Sequence, residues 1–101
     1  MHETWVNAEK QIAYSKNGIL SKELFKSKRI NITLFCMHAG TEMSEHTSTK
    51  QGFVYVLEGK GIFVLKGEEI PMKKGVLVHL EKKAIHALKA DKNTSFILYL
   101  F

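Results

Sequence analysis

Apolar residues come in short bursts along this chain, and within a burst they fill both alternating sets of positions. Phe53, Tyr55 and Leu57 stand at every second position with Val54 and Val56 between them, and the stretch from Phe96 to Phe101 is built the same way. Side chains that switch faces with a period of two belong to β-strands. Runs rich in β-branched and aromatic residues predict strands over 18–25, 29–38, 52–58, 61–66, 68–72, 75–81, 85–90 and 94–101. Turn chemistry separates them: Asn17-Gly18, Ala39-Gly40, Glu58-Gly59-Lys60-Gly61, Lys66-Gly67, Lys73-Lys74-Gly75 and Asp91-Lys92-Asn93. Residues 3–14 read either as one helical turn or as an extra edge strand, helix competing only over Glu9 to Ala13. With no helices between the strands, parallel α/β units are excluded and an all-β sandwich or barrel is predicted.

Strands that are apolar on both faces need cover on both. One face lines a barrel interior; the other needs either the N-terminal segment or a second copy of the chain, because a bare two-sided apolar sheet aggregates in water. A homodimer is therefore expected. The length of 101 residues fits one domain, with 1–17 as an N-terminal edge segment and 18–101 as the barrel.

Composition narrows the setting. With 45% hydrophobic and 25% charged residues the chain has the makings of an ordinary core. It opens with no basic segment leading into an apolar run, and it has no apolar stretch approaching the ~20 residues of a bilayer-spanning helix. Cys36 is its only cysteine and lies in an apolar segment, which predicts a buried, inert thiol and suits the cytoplasm. The net charge of +5 comes from basic residues scattered near the turns. The densest group, Lys22, Lys26, Lys28 and Arg29, flanks a strand boundary, where edge lysines discourage sheet-to-sheet pairing. The aromatic residues sit within apolar strands, not along a basic groove, so no nucleic acid partner is expected, and no membrane partner either. A Walker-type phosphate loop, a CxxC pair and a Gly-x-Ser-x-Gly elbow are all missing.

The histidines carry the chemistry. His2 is read as frayed, His38 as a partly exposed residue at a strand end, and His79, inside Val76-Leu77-Val78-His79-Leu80, as a core or interface histidine. His46 and His86 stand in a different context. Gly40, His46 and Gly59 fall on the frame of a motif in which glycine leads to a His-x-His pair, then a glutamate, then a second glycine. Ser48 stands where the second histidine belongs and Gly52 where the glutamate belongs. Gly75 and His86 fit a second motif, with Gly67 and Pro71 in the hairpin before it, though the proline usually found just ahead of that histidine is replaced by the Glu81-Lys82-Lys83-Ala84-Ile85 turn.

In their order and separation these motifs resemble those of the cupin superfamily, and most closely small single-domain cupins whose first motif reads like Glu45-His46-Thr47-Ser48. The resemblance implies a double-stranded β-helix, or jelly-roll barrel. It also implies that, in metal-binding members, three histidines and one carboxylate hold iron, manganese, nickel, copper or zinc. Here only His46 and His86 remain as ligands for such a divalent transition metal, and Glu42, Glu45 or His38 would have to complete the site. Glu45 is disfavoured, since the neighbour of His46 points to the opposite face. The leading reading is a metal-free pocket around His46, Ser48 and His86, walled by Val54, Val56, Met43 and Phe35 and enlarged by Gly52, that takes a small polar or anionic molecule. The alternative is a metal-dependent cupin enzyme of oxygenase or isomerase type. A third reading is purely structural: two buried histidines satisfying each other or nearby carbonyls. No catalytic residue is assigned.

Overall fold

The structure, a computed structural model, describes residues 4–101; the reading of His2 lies outside the described residues. Those residues form nine strands: β1 (Ile19–Lys26), β2 (Asn31–Met37), β3 (Glu42–His46), β4 (Gly52–Glu58), β5 (Gly61–Leu65), β6 (Glu68–Met72), β7 (Leu77–Leu80), β8 (His86–Ala90) and β9 (Thr94–Leu100). They build a five-stranded sheet of order β1-β2-β9-β4-β7 and a four-stranded sheet of order β3-β8-β5-β6. Every strand pairing is antiparallel. The two sheets face each other as a jelly-roll barrel whose wall is two separate ladders.

The alternation read from the sequence decides which side chains fill the space between the sheets. Val54 and Val56 point inward from β4 and join Met37, Phe63, Met72, Leu80, Leu88 and Phe96 in one buried cluster. Pro71, which has no N–H to donate, sits on β6, an edge strand of the smaller sheet. The strand absent from the sequence prediction is β3. It reads Glu-Met-Ser-Glu-His, with Met43 its only apolar residue and little of it buried, and it too is an edge strand. An edge strand needs one partner and little burial, so it leaves no apolar run to detect.

On the outer face of the larger sheet, Leu24, Leu34 and Cys36 are buried under the N-terminal segment, where Val6, Ala8, Ile12 and Tyr14 pack with Leu57 and Ile97. Over the described part of the 3–14 segment, residues 4–14, the structure has a short 3₁₀ turn over Glu9–Gln11 and no strand. Two hydrogen bonds tie this segment down: the Tyr14 hydroxyl donates to the Glu58 carboxylate at 2.7 Å, and the Lys22 ammonium donates to the Gln11 carbonyl at 2.7 Å. Lys22 thus holds the segment in place from within the edge strand β1. Burial raises the Tyr14 phenol above its ordinary pKa, so it stays a donor.

The N-terminal segment covers only part of that face. Phe53, Tyr55, His79 and Tyr99 on β4, β7 and β9, with Phe101 just past β9, form an aromatic strip that Leu77 extends, with Tyr55 44% and Leu77 60% exposed. Of the two readings of His79, core or interface, the structure removes the first. Val78 and Leu80 take the inward positions of β7, so His79 points outward and is exposed, its ring 5.1 Å from Phe53. No helix among the described residues is long and apolar enough to cross a membrane.

Candidate functional site

β3 and β8 bring the two motif histidines together. Their register pairs Glu42 with Lys89, Met43 with Leu88 and His46 with His86, with an irregularity between Met43 and His46. Between the last two pairs β3 spends one residue more than β8, the signature of a β-bulge. Strict alternation would put Met43 and His46 on opposite faces. The extra residue restores both to the barrel side, as their partners Leu88 and His86 already are. The ring centroids of His46 and His86 lie 4.1 Å apart at an interplanar angle of 63°. His86 also stacks on Phe63, 5.7 Å away and nearly parallel.

Each ring is fixed by its own backbone. His46 Nδ1 lies 2.7 Å from the Ser44 carbonyl oxygen, and His86 Nδ1 lies 2.9 Å from the Ala84 carbonyl oxygen. A carbonyl oxygen only accepts, so in each ring the proton must sit on Nδ1, and a neutral ring then carries its lone pair on Nε2. His86 is 7% exposed. Burial lowers its pKa below the usual imidazole range; the Ala84 carbonyl opposes that shift and nearby His46 adds to it. His46 stands at the open edge and is exposed.

Behind the two rings lies a void of about 40 Å³, lined by Phe35, Met43, Val54, Phe63, Leu80, Leu88, Phe96 and Leu98. It has room for a few water-sized groups, whereas sites that enclose a drug-sized ligand measure roughly 300 Å³ or more. Its volume matches the head of a small organic molecule, not the whole. A larger apolar groove of about 380 Å³ runs along the outer face between Trp5, Val6, Leu24, Phe25, Ile32 and Ile97, and its lining has no titratable side chain.

Of the residues singled out in the sequence, Phe35, Met43, His46, Val54 and His86 meet at this void, while Ser48, Gly52 and Val56 do not line it. Ser48 fails because β3 ends at His46, so the two-residue alternation that would have aimed it inward stops there. Its hydroxyl accepts instead from the Lys50 N–H at 3.1 Å, and its carbonyl accepts from the Lys83 N–H at 2.8 Å. Gly52 does not enlarge the cavity. A Cβ there would collide with the Tyr99 carbonyl oxygen and stand 2.8 Å from Leu100 Cδ2, so the missing side chain admits strand β9. Val56 is fully buried in the core away from the void. The walls the sequence reading lacked, Phe63, Leu80, Leu88, Phe96 and Leu98, carry a signal in hindsight. Leu88 lies two residues beyond His86 and so on the same face.

The same geometry tests a metal. The Glu42 and Glu45 side chains are exposed, and His38 Nδ1 lies 2.9 Å from the Ala39 carbonyl oxygen. Among the described residues no group of three or more His, Cys, Asp or Glu is placed to hold a metal ion. Two imidazoles do not make the three- or four-ligand set that a resident transition metal requires.

Comparison with known proteins bears on the fold. Residues 33–101 match the Cupin domain family, and none of the curated proteins matches the chain. A cupin superfamily protein from Desulfitobacterium hafniense superposes with a TM-score of 0.90 at 20% identity, over 100% of this chain and 93% of that one. A Cupin 2 conserved barrel domain protein from Leptotrichia buccalis gives 0.85 at 26% identity, over 91% of this chain and 45% of that one. A salicylate 1,2-dioxygenase from Pseudoaminobacter salicylatoxidans, in complex with gentisate, gives 0.77 at 18% identity, over 82% of this chain and 25% of that one.

Proposed function

The chain belongs to the cupin family, and from that premise we propose that it is a binding module that takes a small organic molecule at the barrel mouth between His46 and His86. One observation carries the reading: the two imidazoles meet at 4.1 Å over an apolar, phenylalanine-lined void, each with Nδ1 committed to a carbonyl and Nε2 left for a ligand. A few placed polar atoms on an apolar wall are how small-molecule sites fix orientation. Calorimetry against small carboxylates, sugars and alcohols tests it. Binding that survives unchanged in His46→Ala sinks the assignment. His46 is exposed, so that variant keeps its fold.

The second reading, a metal-dependent enzyme of oxygenase or isomerase type, draws on the salicylate 1,2-dioxygenase among the similar structures. That likeness is one of fold, and the donor set around His46 and His86 counts against it. Elemental analysis of untagged protein discriminates the two. Near-stoichiometric iron, manganese, nickel, copper or zinc that is lost in His86→Ala would favour the enzyme.

We also propose that a second copy of the chain covers the aromatic strip. Between them β4, β7 and β9 carry one charged residue, Glu58, and it is engaged by Tyr14. In a chain of net charge +5 whose lysines gather at the turns, this is a surface on which two like copies meet without burying unpaired charge.

A further inference from the structure

We infer that the paired imidazoles make this site selective for neutral hydrogen-bond donors, hydroxyl groups on a compact apolar body, over carboxylates and ethers. The inference rests on the binding reading above and names the ligand class for it.

The direction of the protons decides the matter. Both Nδ1–H groups point at backbone carbonyls, at 2.7 Å from His46 and 2.9 Å from His86, so neither is available to a ligand. What the neutral pair presents is two Nε2 lone pairs, which are acceptors. The remaining walls are Phe, Leu, Val and Met, so nothing in the lining donates a hydrogen bond. Nor does any Asp or Glu line the void to act as counter-ion and hold a ring in its charged, doubly donating form. A carboxylate entering here sets its own lone pairs against those of the imidazoles and loses its hydration without replacement. An ether oxygen has the same fault without the charge. A hydroxyl supplies the missing donor, and two hydroxyls on neighbouring carbons supply both.

Size agrees with chemistry. The void of about 40 Å³ admits the hydroxyl and the atoms next to it, while the body of the molecule stays at the mouth beside exposed His46 and half-buried Met43. Phe63, stacked nearly parallel on His86, opposes a turn of the inner ring about its Cβ–Cγ bond, which would put carbons where its nitrogens stand.

Two measurements test the inference. In ¹⁵N-labelled protein without ligand, at about pH 8 and so well above the ordinary imidazole pKa of about 6.5, long-range ¹H–¹⁵N correlations should show Nδ1 protonated and Nε2 bare in both rings. A proton on Nε2 of either ring, or one shared between the two, overturns the inference without any ligand being known. The same resonances are then followed while phenol, anisole and benzoate are added separately. Phenol should move the Nε2 signals and bind roughly tenfold or more tightly than either of the others, the ratio expected for one buried hydrogen bond made or missed. Equal binding of anisole or benzoate would defeat the ligand class and leave a binding site standing. Silence with all three probes defeats the class too, and the panel with His46→Ala then decides whether any binding site survives.

Discussion

His46 and His86, distant in the chain, are cross-strand partners whose rings meet edge to face because a β-bulge in β3 turns His46 back toward the barrel. Of the two, His86 is the buried ring. Burial holds the His86 pKa down in the folded state, whereas the unfolded chain has the ordinary value of about 6.5. Above that value both states are neutral at this position and the folded state keeps its full stability. As the pH falls through it, the unfolded chain takes up a proton that the folded one refuses, and stability is lost until folded His86 also titrates. Denaturation by urea at about pH 7.5 and about pH 5.5 should therefore give a lower midpoint in acid, with the drop reduced in His86→Phe. A drop that is the same in that variant would assign the effect to other groups.

Gly52 gives a second test. Because a Cβ there meets the Tyr99 carbonyl and the Leu100 side chain, Gly52→Ala should destabilise the protein by about 1–3 kcal/mol, the range for forcing extra atoms into a packed site. Gly52→Glu restores the carboxylate that the family motif has at this position, yet it should lower stability and bring no metal affinity. Stoichiometric zinc or manganese in purified Gly52→Glu protein would contradict this.

That residue also marks the boundary of what could be read from the sequence. Alternation in segments such as Phe53 to Leu57 exposed the strands and correctly put Val54 and Val56 inside, because a strand's pattern is a local property. The meeting of His46 and His86 was legible through motif spacing. Gly52 was misread because its reason is the backbone of β9, which local sequence does not show. Ser48 was misread because nothing in the letters says that β3 stops at His46. The size of the void was out of reach for a similar reason: it depends on how side chains from both sheets interlock.

Tyr14 is expected to hold the N-terminal segment over Cys36. Tyr14→Phe removes the hydrogen bond to Glu58 and should cost about 1 kcal/mol. The local consequence is more telling. Cys36, fully buried beneath that segment, should react faster with a thiol reagent in the variant, while amides in the core strands keep their exchange protection. An unchanged thiol rate would show that the apolar contacts alone hold the segment.

Leu77 tests the pairing of copies. It is 60% exposed, so Leu77→Lys and Leu77→Glu should leave the single chain folded. Sedimentation should show concentration-dependent association in the unaltered protein and loss of it in each variant alone. Mixing the two variants should recover it, because opposite charges then face one another across a self-complementary contact. Failure of the unaltered protein to associate at high concentration would remove the proposal.

The position of β9 has a consequence for how the chain reaches this form. It follows every other strand in sequence but lies in the middle of the larger sheet, with β2 on one side and β4 on the other. Until it arrives, the β1-β2 pair and the β4-β7 pair have no ladder joining them, and each keeps a hydrogen-bonding edge open. Assembly thus waits on a keystone made last, which predicts slow, all-or-none folding dominated by distant pairings. It also makes truncation ahead of Thr94 far more damaging than loss of a few terminal residues, since what remains is two sticky half-sheets without a common middle.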